Sequence, residues 1–167
     1  MEEKVDIIDP SDKVIGTISK TEAHTKGLLH RCVIAELRDS KGNWIFVRQS
    51  SLRQDIGQLA SASGGHIQSG ETNIKALKRE VFEELGISKF KFVPKGKIIF
   101  NREVSGHIEN HLFIVYEITS DQIPILNEES DEYVKYTTRK LKKELKENPQ
   151  IFGEALKYIF LNIYPEI

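Results

Sequence analysis

The chain has 167 residues, 39% hydrophobic and 29% charged, a size and balance that suit one globular domain with a proper core and leave no room for a second catalytic domain. Lys and Arg number 24 against 25 Asp and Glu, a formal net charge of -1. No overall basic field therefore exists to hold a nucleic-acid backbone non-specifically, and any phosphate recognition must be local. The single cysteine, Cys32, excludes an internal disulfide, and it lies in an apolar run that suits a core thiol. No stretch approaches the roughly 18 apolar residues of a membrane span, and Met1-Glu2-Glu3-Lys4 opens the chain without an apolar signal core. A cytoplasmic protein with no membrane partner is the expectation.

Val5-Asp6-Ile7-Ile8 and Val14-Ile15-Gly16-Thr17-Ile18, parted by Asp9-Pro10-Ser11-Asp12, predict a hairpin. A β-rich run covers Leu28 to Leu37, and the turn Asp39-Ser40-Lys41-Gly42-Asn43 leads into Trp44-Ile45-Phe46-Val47 as a second hairpin. From Gln49 to Gly70 the residues are polar and small, which favours loops and short strands. Thr72 or Asn73 then caps a helix of about four turns, with Ile74, Leu77, Val81 and Leu85 at helical spacing and Gly86 as its left-handed stop. Phe90 to Phe100 and Ile108 to Ile118 have strand composition, with a loop expected from Asn101 to Gly106, and a short strand is expected over Tyr133 to Thr137. Thr138 is positioned to cap a charged helix through Lys146, and Ile151 to Ile163 reads as an amphipathic terminal helix that packs on the sheet or serves a dimer contact. Trp44, Phe46 and Tyr116, on alternating strands, are assigned to the core. The architecture expected is a mixed α/β sandwich.

Chemistry concentrates between Gly65 and Ile87. Glu80 and Glu84 stand one helical turn apart, Glu83 adjoins them, and the apolar stripe faces elsewhere, so three carboxylates crowd one flank. Their repulsion calls for an offsetting divalent cation. Carboxylate oxygens suit hard ions, and magnesium binds one or two of them while sharing substrate phosphate oxygens. Arg79 can fix a glutamate's rotamer, and the glycines before the helix let the backbone come close to a metal or phosphate. A solvated acidic face is the ordinary reading of such a cluster.

The spacing decides against it. Gly65, Glu71, Arg79-Glu80-Val81, Glu83-Glu84 and Gly86-Ile87 fill the nine specified positions of G-x5-E-x7-R-E-U-x-E-E-x-G-U, with U aliphatic, and the segment thereby resembles the Nudix hydrolase family. The resemblance implies an α/β/α sandwich with a mixed central sheet, a single domain over residues 1–167, and hydrolysis of a nucleoside diphosphate linked to another group: a nucleotide, nucleotide sugar or dinucleotide. It implies Glu80, Glu83 and Glu84 as ligands of Mg2+, or Mn2+, with one of them also the base, and it adds Gly65 through its carbonyl. Arg79 would orient a glutamate, and Glu71 would support the helix start or an outer-shell metal on the substrate side. The metal would polarise phosphoryl oxygens and activate water, with no covalent intermediate.

A second likeness, to the isopentenyl-diphosphate isomerase branch of the superfamily, rests on Ala23-His24, Gly27-Leu28-Leu29-His30-Arg31 and Ser61-Ala62-Ser63-Gly64-Gly65-His66. That branch builds a metal site from three histidines and two glutamates; His24, His30, His66 and Glu109 fall at matching positions, and His111 stands where the second glutamate would be. Arg48 and Arg53 match its diphosphate-binding positions, and His66 and Glu109 would face the substrate. Its proton-transferring cysteine is replaced here by Gly64, and its members depart from the full R-E-U-x-E-E pattern that this chain keeps. Hydrolysis is therefore the expectation, with isomerisation or a non-catalytic binding module as alternatives; such modules often lose a box glutamate. The expected partner is a small nucleotide or diphosphate, and the chain is expected as a monomer or homodimer.

Overall fold

The computed structural model describes all 167 residues. A short hairpin opens the fold, β1 (Lys4–Ile8) and β2 (Val14–Ser19). The Asp9 carboxylate ties its turn by accepting from the Ser11 and Lys13 N–H groups. β3 (His30–Arg38) pairs with β4 (Trp44–Gln49) at only two positions, Leu37 with Ile45 and Arg38 with Trp44, and the two strands then diverge. β4 goes on to pair with β5 (Leu59–Ala60) and β9 (Ser130–Tyr136). β3 instead pairs with β6 (Ser63–His66) on one side and, in parallel, with β8 (His107–Thr119) on the other. β7 (Lys91–Val104) completes a long hairpin with β8.

Apolar residues alternate along β3 and β8, and each set meets a different helical layer. Val33, Ala35, Leu37, Leu112 and Ile114 pack against Leu77, Val81 and Leu85 of α2 (Asn73–Leu85). Cys32, Ile34, Phe113 and Val115 face Leu141 of α3 (Thr138–Glu147) and Leu156, Ile159 and Phe160 of α4 (Glu154–Ile163). The result is the expected α/β/α sandwich around a mixed sheet, with Trp44, Phe46, Tyr116 and Cys32 buried. No helix is long and apolar enough to cross a membrane.

One element carried no signal in the sequence, and three local expectations are corrected. Lys20–Lys26 forms a short helix, α1, capped by Ser19 and stopped by left-handed Gly27; its single buried residue, Ala23, gives it no readable periodicity. The stretch Asn101–Gly106 is not a loop, because Ser105 and Gly106 both take positive φ in a two-residue turn that lets the strands run on to Val104 and from His107. α3 is capped by Thr137 rather than Thr138. The terminal helix begins at Glu154, since Pro149–Ile151 forms a separate 3-10 turn and the Gly153 N–H donates to Leu59 O.

Candidate active site

The Gly-rich strand β6 and helix α2 build the carboxylate cluster together. Thr72 caps α2 through Lys75 N, and Gly86 ends it in the left-handed conformation. Burial of Ala76, Leu77, Val81 and Leu85 fixes the rotation of the helix and directs Glu80 and Glu84 at β6. The outer edge of β6 has no strand partner, and the Glu84 carboxylate takes its place, accepting the Gly64 N–H at 3.2 Å and the Ser63 hydroxyl at 3.3 Å. Glu80 packs on Gly65 so closely that a Cβ there would fall on its carboxylate. Arg79 spreads its guanidinium over the cluster: Nε and Nη2 donate to the two Glu71 oxygens at 2.8 and 3.0 Å, Nη1 to Glu80 at 2.6 Å, and Nη2 to the His66 carbonyl at 3.0 Å. Glu71 also accepts the Gln68 N–H, pinning the loop into the helix.

The three glutamates differ in setting. Glu80 is largely buried with its side chain 13% exposed, whereas the Glu83 side chain is 55% exposed and reaches Arg79 only at 3.5 Å. Burial, then the neighbouring Glu80 charge, pushes the Glu84 carboxyl up to about 8; burial raises Glu80 as well, against the pull of Arg79. Two buried acids within bonding reach of each other favour binding either protons or a cation.

A second cluster lies on the opposite side of β6. Across the β3–β6 ladder Gly65 sits beside Val33, on the α2 face, and His66 beside Cys32, on the α4 face. His30 and His111, in register on β3 and β8, share the face of His66, and His24 comes in from α1. Ligand atoms of these four histidines lie within 4.8 Å of one another. Burial and mutual repulsion push His111 down to about 2 and His30 down to about 4, so the rings are neutral and free to ligate.

Where β3 and β4 diverge, a cavity of about 310 Å3 opens, walled by Val47 and Ala60 on one side and Ile34 and Gly64 on the other. It reaches both Glu84 and the histidines, and Arg53 and Glu109 line it. Arg53 is paired with Glu129 at 3.3 Å. Arg48 does not line it; its guanidinium is bound to Glu132 and the Gly57 carbonyl. Gly64 stands in the wall with no side chain, and Cys32, distant in sequence, lines the cavity as His66's strand neighbour; burial pushes its thiol well up. Arg102, Asp55 and His107 are among the lining residues that escaped the sequence reading. For His107 the signal was present, since His107, Glu109 and His111 alternate onto one face of β8.

Comparison with known proteins gives the same assignment. A NUDIX domain family model matches residues 28–154. A Yersinia pestis protein named an uncharacterized Nudix hydrolase is 34% identical over 103 residues, 60% of this chain; the match spans 56% of that protein, little more than half its length. An isopentenyl-diphosphate Delta-isomerase of Pectobacterium atrosepticum is 25% identical over 163 residues, covering 96% of this chain and 90% of its own. The crystal structure of DR0079 from Deinococcus radiodurans superimposes with a TM-score of 0.78 at 26% identity, over 97% of this chain and 99% of that one. The glycine strand, the capped helix and the arginine-bound glutamates thus sit in a sandwich shared along nearly the whole chain, and the chain belongs to the NUDIX family.

Proposed function

We propose that the chain, acting as one Nudix domain over residues 1–167, hydrolyses a phosphoanhydride bond in a nucleoside diphosphate derivative with magnesium, or manganese, at Glu80, Glu83 and Glu84. The observation that carries this reading is the pair of buried carboxylates, Glu80 and Glu84, pressed against Gly64 and Gly65. Arg79 is the cation bonded to Glu71, Glu80 and Glu83. A set of carboxylate oxygens that outnumbers its cation fits a hard divalent ion. When bound, that ion supplies Lewis acidity and lowers the pKa of a coordinated water.

The chain's own groups do the rest. Arg79 and Glu71 hold the glutamates in place, and one box carboxylate takes the proton from the attacking water. The cavity volume suits a small molecule. Arg53 is placed to exchange Glu129 for a phosphate, and His66 and Glu109 contribute polar contacts from the walls. Arg48 is bonded to Glu132 and the Gly57 carbonyl and stands outside the residues that line the cavity.

Isomerisation of a prenyl diphosphate is the second reading, supported by the Pectobacterium relative and by Cys32 in the cavity wall. Burial holds that thiol protonated, which disfavours proton abstraction at carbon. A phosphate-release screen with magnesium or manganese over nucleoside di- and triphosphates, nucleotide sugars, dinucleotides and isoprenoid diphosphates separates the two. Release from a nucleotide substrate, lost in Glu83→Gln, is expected. Conversion of isopentenyl diphosphate to its isomer with every nucleotide left intact would replace hydrolysis by isomerisation.

A further inference from the structure

A buried acid that the proposed hydrolysis does not use lies at the root of the cavity. On β3 the ladder with β6 ends at Ala35 and the ladder with β4 begins at Leu37, so Glu36 is the one residue at the fork between them. The chain crosses that fork between β5, which lies on β4, and β6, which lies on β3, and Ser61 stands on the crossing. Ser61 lines the cavity, two residues before Ser63, whose hydroxyl is given to Glu84. Behind it Glu36 is wholly buried; its Oε1 is bonded to the Ser61 hydroxyl, and its Oε2 has no partner. The charged and titratable groups facing it are Glu117, in register on β8, and Tyr164 at the end of α4. Arg38 and Lys95 are bound to Glu117, at 3.4 and 4.0 Å, and neither pairs with Glu36. Tyr164 is held protonated by burial and by Glu36 itself.

A carboxylate in this place would carry its charge with no cation beside it and one oxygen without a hydrogen bond, which burial penalises heavily. The neutral acid avoids that cost. Its proton sits on Oε1 and donates to Ser61 Oγ, and the orphaned Oε2 is then only a carbonyl oxygen. A serine hydroxyl has one proton to give. With Glu36 ionised, that proton points back at the carboxylate; with Glu36 protonated, it is free to turn forward into the cavity. Burial raises the Glu36 carboxyl to about 7 against the Ser61 bond, with a smaller push from Glu117, so the neutral form is populated near neutrality. We propose that Ser61 is a substrate contact, donating its hydroxyl proton to a phosphoryl oxygen of the bound diphosphate. Glu36 is the positioning residue behind it, which in its protonated form donates to Ser61 Oγ and turns that proton towards the ligand. This deepens the hydrolase reading and rests on it, since the ligand is the diphosphate of that reading. A bond that merely tied the fork together would need no acid and would be indifferent to which partner holds the proton.

Binding of inorganic pyrophosphate with excess magnesium, followed by isothermal titration calorimetry on the full chain, tests the contact without requiring turnover. Below pH 7 Glu36 is protonated and Ser61 donates to the ligand; above it the Ser61 proton turns back and a carboxylate stands behind the phosphate. Glu36→Gln, whose amide N–H donates to Ser61 at every pH, should match the wild type at pH 6. By pH 8.5 the wild type should bind about 10-fold or more weaker than this variant. Comparing the two removes the titrations of the ligand and of Glu84, which both share. Proton uptake on binding at pH 7.5, read from buffers of different ionisation enthalpy, should be larger in the wild type. Ser61→Ala should weaken binding at pH 6 about 10-fold and Ser61→Thr should restore it, with circular dichroism confirming each fold. These dependences in a protein that turns over no nucleotide would remove the hydrolysis and leave the contact in place. Parallel pH profiles in the wild type and Glu36→Gln, unchanged binding in Ser61→Ala, or no pyrophosphate binding to the wild type would overturn the proposal.

Discussion

At Gly65 the missing side chain is itself part of the site, because the space a Cβ would take is filled by the Glu80 carboxylate. Gly65→Ala must push either β6 or Glu80 aside. Overpacking of this kind costs about 1–3 kcal/mol, and magnesium-dependent turnover should fall at least 10-fold, measurable as a lowered Tm together with a raised magnesium requirement. Glu84→Gln keeps the shape and most hydrogen bonds to Gly64 and Ser63 while removing the charge. Turnover should drop by about two to four orders of magnitude, the usual range for a positioned acid–base or charge-stabilising group, with no loss of Tm. A variant of full activity would remove Glu84 from the chemistry.

Glu36 is a different buried acid, bonded to Ser61 of the cavity wall. It lies wholly inside the α4 face, accepts one bond from the Ser61 hydroxyl, and has its second oxygen unpartnered. Burial, with a smaller push from Glu117, raises its carboxyl to about 7. A raised carboxyl favours the folded state fully below its ordinary pKa, and this contribution is lost as pH climbs through 7, to the extent of about 3 kcal/mol. Urea titrations between pH 5 and 8.5 should show falling stability in the wild type and a flatter profile in Glu36→Gln. Parallel profiles would assign the effect to another group.

Among the elements, α2 owes its place to its ends as well as its stripe. Thr72 is its side-chain N-cap, and Thr72→Ala should cost about 1 kcal/mol, read as a lower urea midpoint with unchanged slope. Arg79 belongs to the same element and binds Glu71, Glu80 and the His66 carbonyl with one planar fork. Arg79→Lys keeps the charge but cannot span those partners, so turnover should fall at least 10-fold despite charge conservation; full activity would show that charge alone suffices. α1 is held by a Ser19 cap and the left-handed Gly27, and its function in the fold is to bring His24 over the strands. Its seven residues bury only Ala23, which is why the sequence pattern shows no helix there.

Across the molecule, what could be read beforehand follows from how local each signal is. The α2 stripe, its cap and stop, and the alternating strands β3 and β8 declare themselves within a dozen residues, so the sandwich and the glutamate flank were legible. The separation of β3 from β4 after two residue pairs was not, and that separation makes the cavity. Nor could sequence place Glu109: it matched a metal-ligand position, yet Arg102, seven residues earlier on the facing strand, claims it. The pairing of Arg48 was equally hidden, since its partners Glu132 and Gly57 come from elements that meet only in the fold. The alternation of His107, Glu109 and His111 was visible, but its meaning depended on β6 and α1 arriving at the same face.

The most direct test follows the oxygen. A nucleotide substrate found in the screen is turned over with magnesium in 18O-labelled water, and the products are resolved by 31P NMR or mass spectrometry. One labelled oxygen per cleavage, attached to a phosphorus product, is expected, along with loss of turnover when Glu80, Glu83 and Glu84 are all changed to glutamine. Undiminished cleavage without those three carboxylates, or solvent hydrogen entering carbon while no phosphorus gains oxygen, would contradict the account.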